Sequence, residues 1–259
     1  MSRAKCRNVA VLVYEGVDTL DLAGPFDVFA VSSQWGKDFH VYTVGEKKGP
    51  VNTVSGLTLT AKYGFDDCPA PDILIVPGGL GARTEINNET LTAWIRRMAD
   101  SAELVLSVCT GALLLAKADI LNGMKVTTNR FAMDLLRSAA PSDATVIEDV
   151  RYVDNGKIIL SAGITAGFDA ALHAVARLHG EQRAVETAER LEYRWLERLE
   201  IRKAQIEDWP TLQRLYQEAA QWIHDSKGFR QWRKEAFTQQ YLERFIRDHE
   251  VFVALRKAN

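Results

Sequence analysis

The stretch that decides the fold is residues 103–116, ELVLSVCTGALLLA. An unbroken apolar run, LVLSV, enters Cys109 and leaves through Thr110 and Gly111 into a helical Ala/Leu run. The first part lacks the in/out alternation of a half-exposed strand, as parallel strands covered on both faces do. A strand that passes straight into a helix through small residues is a nucleophile turn. The spacing Ser107-x-Cys109-x-Gly111 parallels the small-x-nucleophile-x-Gly pattern of hydrolase elbows, with a thiol as the nucleophile.

Working outward, NVAVLVY (8–14), FHVYTVG (39–45) and DILIV (72–76) are further short apolar runs, and they alternate with helical patterns over 18–31 and 91–98. That alternation predicts an α/β fold with a doubly wound sheet. VRYVDNGKIILSA (150–162) places Asn155-Gly156 between two strand-like runs, the composition of a two-residue hairpin turn, and is expected as an accessory ribbon. Helices are expected over 166–178 and 183–199, with Gly180 ending the first in a left-handed cap. Near residue 199 the pattern changes to a strand-like LEIRKAQI, an Asp-Trp-Pro helix start, two helices bearing Trp and Arg, and a final strand-like EVFVALRK. The expected division is a catalytic domain over 1–198 and a small α+β appendage over 199–259.

Bulk properties bound what the chain does. Its 259 residues are 47% hydrophobic and 25% charged, which fits a soluble globular protein of one medium domain plus an appendage. A net charge of −2, with both signs interspersed, gives no single-sign field to draw in nucleic acid or an anionic membrane, and neither partner is expected. The apolar run after the amino terminus is too short for a signal peptide or a membrane span, so a cytoplasmic location is expected. The three cysteines show no C-x-x-C spacing and are read as free thiols in a reducing compartment.

Three segments carry candidate chemistry. At Cys109 the positive end and free N–H groups of the following helix favour a thiolate of lowered pKa; the competing reading is a buried, inert cysteine. Pro77-Gly78-Gly79-Leu80-Gly81 follows a strand at the carboxyl end of the sheet, where open α/β folds place ligands. The Gly79 and Thr110 N–H groups could there cradle a developing negative charge, unless the segment is a plain Gly-rich turn. Asp18 is placed to cap a helix, and Asp21 is either its capping partner or a general acid/base facing the thiol. No histidine neighbours Cys109 in the chain, and His179-Gly180-Glu181, though it matches an H-x-E pattern, sits where a helix end is expected.

Taken in order, residues 8–29, 72–83, 107–129 and 161–180 resemble the ThiJ/PfpI superfamily and, within it, the isonitrile hydratases. The resemblance covers residues 8 to about 198. It implies a flavodoxin-like fold of the class I glutamine-amidotransferase type, usually dimeric, and no metal or organic cofactor. It also implies Cys109 as nucleophile, Asp21 as acid/base partner, Thr110 beside them, and Gly78, Gly79, Leu80 and Asn129 at a small-molecule substrate. The reaction implied is hydration of an isocyanide to an N-substituted formamide. The chain departs from that pattern at Asn129-Arg130, where isonitrile hydratases carry His and an aromatic residue. Thr110 stands where protease-like members carry His, which disfavours a Cys-His mechanism. Two other readings follow from the superfamily: an enzyme acting on glyoxals, and a non-catalytic ligand or oxidation sensor of the kind attached to transcription regulators. The tail has neither a basic stripe nor a helix-turn-helix spacing. It resembles instead the first half of a GNAT acetyltransferase without the pyrophosphate-binding loop, so acetyl-CoA binding is not expected.

Overall fold

The computed structural model describes residues 6–33, 36–195, 199–227 and 236–256. The chain divides into two compact units, Met1–Trp195 and Leu196–Asn259. In the first, β1 (Arg7–Leu12) leads to α1 (Thr19–Ser32), β2 (Phe39–Val44), a hairpin of β3 (Gly49–Asn52) and β4 (Thr58–Ala61), and β5 (Ile73–Val76). Then come α2 (Ala82–Glu85), α3 (Glu89–Ser101), β6 (Leu104–Val108), α4 (Gly111–Lys117), β7 (Lys125–Val126) and α5 (Met133–Ala139). The unit closes with β8 (Thr145–Val146), β9 (Tyr152–Asp154), β10 (Ile158–Ser161), α6 (Ala166–His179) and α7 (Glu181–Arg190).

Six strands form the main sheet in the order β2-β1-β5-β6-β10-β9. All neighbours are parallel except β9, which runs antiparallel to β10 at the edge. The apolar runs behave as their composition demands, since every residue of β5 and β6 is buried. Helices from both directions of winding cover them, and α1, α4 and α6 all contribute buried residues to one continuous core. Because the strands are parallel, β1, β5, β6 and β10 all end at one side of the sheet. The loops that follow them therefore meet there.

Three expectations are corrected. The 150–162 hairpin is not an accessory ribbon: β10 enters the main sheet beside β6, and β9 forms the edge beyond it. Its turn also lies one residue later than expected. Asn155 N–H donates to the Ile158 carbonyl at 3.0 Å and Gly156 has φ of 82°, so Gly156-Lys157 are the central residues, with glycine first. The helix expected over 183–199 stops at Arg190, followed by Glu192 at φ 50°. At His179 the H-x-E match lies beside Arg7, at the start of β1 and so at the opposite end of the sheet from the converging loops.

The second unit pairs β11 (Leu199–Lys203) antiparallel with β12 (Phe252–Arg256) and holds α8 (Trp209–Lys227) and α9 (Gln239–Asp248). Ala204, Leu212, Leu242 and Ile246 form its small buried core. The Trp- and Arg-rich start of the second expected helix lies outside the described residues.

Candidate active site

Cys109 directly follows β6 with φ of 55°, a left-handed conformation that residues other than Gly, Asn and Asp rarely adopt. Its surroundings hold it there. The Cys109 N–H is shared between the carbonyls of Ser161 and Ala162, at 3.2 and 3.1 Å, and the Cys109 carbonyl accepts from Thr128 Oγ1 at 2.7 Å. Strain of this kind persists only where neighbours over-determine it, and it turns the side chain out of the strand towards the loops. The turn also needs the small residues around it. A Cβ on Gly111 would come within 2.0 Å of the Val76 carbonyl oxygen, so only glycine lets α4 start this close to β5.

The acidic segment after β1 supplies the partner. Asp18 caps α1, its carboxylate accepting from the N–H groups of Leu20 and Asp21 at 3.0 and 3.3 Å. Asp21 is thereby carried on the first turn with its carboxyl fully buried. Its Oδ1 accepts from Ile164 N–H at 3.1 Å, while Oδ2 meets no donor of good geometry. The Cys109 thiol and the Gly78 N–H lie close enough to favour the ionised form of this carboxyl without making a hydrogen bond of good geometry to it. Ile164, like Cys109, is held at positive φ, 54°.

Electrostatics make these two groups a proton-sharing pair. Burial, followed by the nearby Asp18 charge, raises the Asp21 pKa from 3.8 to about 7; the Cys109 thiol, Ile164 N–H and Gly78 N–H act in the opposite sense. Burial, followed by the Asp21 charge, pushes the Cys109 thiol up to about 12 against the opposing Thr110 N–H. The expected lowering of the thiol pKa is therefore corrected. A single helix-end N–H does not offset desolvation and a carboxyl at close range. At neutral pH the sulfur keeps its proton, with the Asp21 carboxyl beside it. Cys109 is itself buried, keeping 8% of its surface as a residue.

The Gly-rich loop behaves differently from expectation. Gly78 is buried, and a Cβ there would lie 2.5 Å from Thr110 N and 2.9 Å from Asp21 Oδ2. It is the spacer that lets these groups meet. The Gly79 N–H is not free to cradle a charge: it donates to Thr110 Oγ1 at 2.9 Å, and that hydroxyl donates back to the Gly79 carbonyl at 3.0 Å. Thr110 thus ties the loop to the elbow. Leu80 projects outward, 63% exposed. Asn129 caps a helical turn through Phe131 N–H at 2.9 Å, with its amide where a Cβ on Gly163 would stand, one residue before Ile164.

Thr128 and Ile164 received no role from the residues alone, although both lie in quoted segments. For Ile164 the available signal was placement, since it follows β10 and so falls among the converging loops; Thr128 follows β7, outside the main sheet, and carried no such signal. Among the described residues no group of three His, Cys, Asp or Glu side chains is arranged to hold a metal, and no helix is long and apolar enough to cross a membrane.

The sequence pattern of the DJ-1/PfpI family matches residues 7–177. The chain is similar to an isonitrile hydratase from Pseudomonas putida, 37% identical over 185 residues that cover 71% of this chain and 78% of that one. It is also similar to a deglycase from Thermococcus kodakarensis, 26% identical over 57% of this chain and 88% of that one. Among solved structures, a ThiJ/PfpI family protein from Pseudomonas syringae superposes with a TM-score of 0.68 at 29% identity, covering 74% of this chain and 77% of that chain. DJ-1beta from Drosophila melanogaster shares the fold, with a TM-score of 0.63 at 18% identity over 73% of this chain and 99% of that one.

Proposed function

The chain belongs to the DJ-1/PfpI family, and from that premise we propose that it is a cysteine-dependent enzyme that adds water to an organic isocyanide. The observation that carries this reading is a buried carboxyl with one unpartnered oxygen, close enough to the Cys109 thiol for each to shift the other's pKa. The similarity to the Pseudomonas putida isonitrile hydratase supports the choice of electrophile.

The chemistry runs in two balanced steps. Asp21 takes the Cys109 proton as sulfur bonds to the terminal isocyanide carbon, then delivers that proton to the same carbon, leaving a thioimidate, Cys–S–CH=N–R. Asp21, again ionised, draws a proton from water as the oxygen adds to the thioimidate carbon. Asp21 passes that proton to the nitrogen, giving Cys–S–CH(OH)–NHR; the C–S bond then breaks as the hydroxyl gives up its proton, through Asp21, to the sulfur, so that N-substituted formamide leaves with the cysteine thiol regenerated. The Leu80 and Thr110 amides make no main-chain hydrogen bond among the described residues, and they are the loop donors assigned to charge developing on the substrate. In this reading the enzyme is a cytoplasmic homodimer without metal or organic cofactor, and Gly78, Gly79 and Asn129 shape the pocket. The C-terminal unit takes no part.

Purified protein should convert cyclohexyl isocyanide to N-cyclohexylformamide, read by proton NMR, and Cys109→Ser should form none. Absence of formamide from protein whose Cys109 alkylates readily would remove the substrate and keep the nucleophile. The similarity to the Thermococcus deglycase favours a second reading, in which the same pair attacks the carbonyl of a glyoxal. Cys109-dependent loss of methylglyoxal, without turnover of isocyanide, would select it.

A further inference from the structure

Tyr14 lies just past β1, is almost wholly buried, and donates its phenol O–H to the Pro77 carbonyl at 2.8 Å. That carbonyl belongs to the same peptide unit as the Gly78 N–H. In a trans peptide the two groups point in opposite directions, and the chain contains no cis bond among its described residues. The phenol therefore holds one side of this peptide and leaves the Gly78 N–H facing away from it; the Asp21 carboxyl is near enough to Gly78 that a Cβ would stand 2.9 Å from Oδ2, and the Gly78 N–H lowers its pKa. We propose that Tyr14 is a positioning residue for the reaction: through the Pro77–Gly78 peptide it orients and polarises the Gly78 N–H toward Asp21, favouring the ionised carboxylate that accepts the thiol proton.

The physical basis is cooperativity. A carbonyl that accepts a hydrogen bond makes its own N–H a stronger donor, by roughly 10–30% per bond in condensed phase. The effect is largest away from water, where no solvent competes for the carbonyl. The titratable groups facing Tyr14 are Asp21, Cys109, Glu85 and Asp18, all acids, and with burial they push the phenol pKa well above its usual value. The phenol accordingly remains a neutral donor across the pH range in which Asp21 titrates. Tyr14→Phe removes that donor, leaves a buried carbonyl unpaired and frees the peptide to rotate. Both consequences weaken the Gly78 donor and raise the Asp21 pKa.

This inference rests on Cys109 and Asp21 as the reacting pair and not on the identity of the substrate, so the test uses alkylation. The rate of Cys109 carboxamidomethylation by iodoacetamide is followed from pH 5 to 9 by peptide mass spectrometry. In the wild type it rises through an acid limb near the Asp21 pKa, and Asp21→Asn abolishes the limb. Tyr14→Phe is expected to move the midpoint up by about half a pH unit or more. A 3-fluorotyrosine placed at position 14, a stronger donor of nearly the same shape, is expected to move it down, which separates tuning from loss of fold. Midpoints that stay at the wild-type value in both proteins, or a limb that survives Asp21→Asn, would overturn the proposal. Isocyanide turnover enters none of these readouts, so failure of the substrate assignment is seen separately.

Discussion

Asp21 shows what one residue costs a fold in order to be useful. Its pKa, about 7 in the folded chain against an ordinary 3.8, means that between those two values the folded state holds a proton the unfolded state has released. Folding stability from this group therefore falls as pH rises through that window. Once the carboxyl is fully ionised, the cost is on the order of 4 kcal/mol at most. Asp21→Asn has nearly the shape of the protonated acid and none of the charge. It should raise the melting temperature at pH 8, with the gain vanishing near pH 4, while lowering formamide formation by about a hundredfold or more. On the proposed mechanism the same titration should give wild-type turnover an acid limb, with activity lost as pH falls through about 7 because Asp21 is then protonated. The residues alone showed Asp21 as either a capping partner or an acid/base group. Asp18 does the capping, and burial separates the two roles.

At the scale of elements, the site is a set of strand ends held at close approach. The elbow between β6 and α4 was legible because local chemistry demands it: an apolar strand, a nucleophile, and a glycine where the helix must touch β5. Gly111→Ala tests that demand. Its methyl group would sit 2.0 Å from the Val76 carbonyl oxygen, so α4 must shift. Overpacking of this kind typically costs about 1–3 kcal/mol, and a lower urea midpoint together with slower Cys109 alkylation is the expected result. The 150–162 hairpin was legible as a hairpin but not as part of the main sheet, because turn composition is local and strand partnership is not. The segment places Ser161 and Ala162 where their carbonyls hold the Cys109 N–H, a contact that spans more than fifty residues.

For the whole molecule, the two units bury separate cores, one continuous through the main sheet and one built on Ala204, Leu212, Leu242 and Ile246. Every residue assigned to the reaction lies in the first. A chain ending at Trp195 should therefore melt cooperatively and keep formamide formation within about threefold of the full chain; loss of turnover by a folded truncation would tie the second unit to catalysis. What the linear chain determines by itself is the α/β class, the carboxyl-end position of the loops and the strand-to-helix turn at Cys109, because apolar runs, small residues and helix caps act over a few neighbours. Only the tertiary structure decides that Thr110 occupies the Gly79 N–H, that Ile164 reaches Asp21 across 143 positions, and that burial turns a nominal thiolate into a thiol sharing its proton with a carboxyl. Those outcomes depend on which groups are removed from water together, and desolvation is a property of the packed chain rather than of any stretch of it.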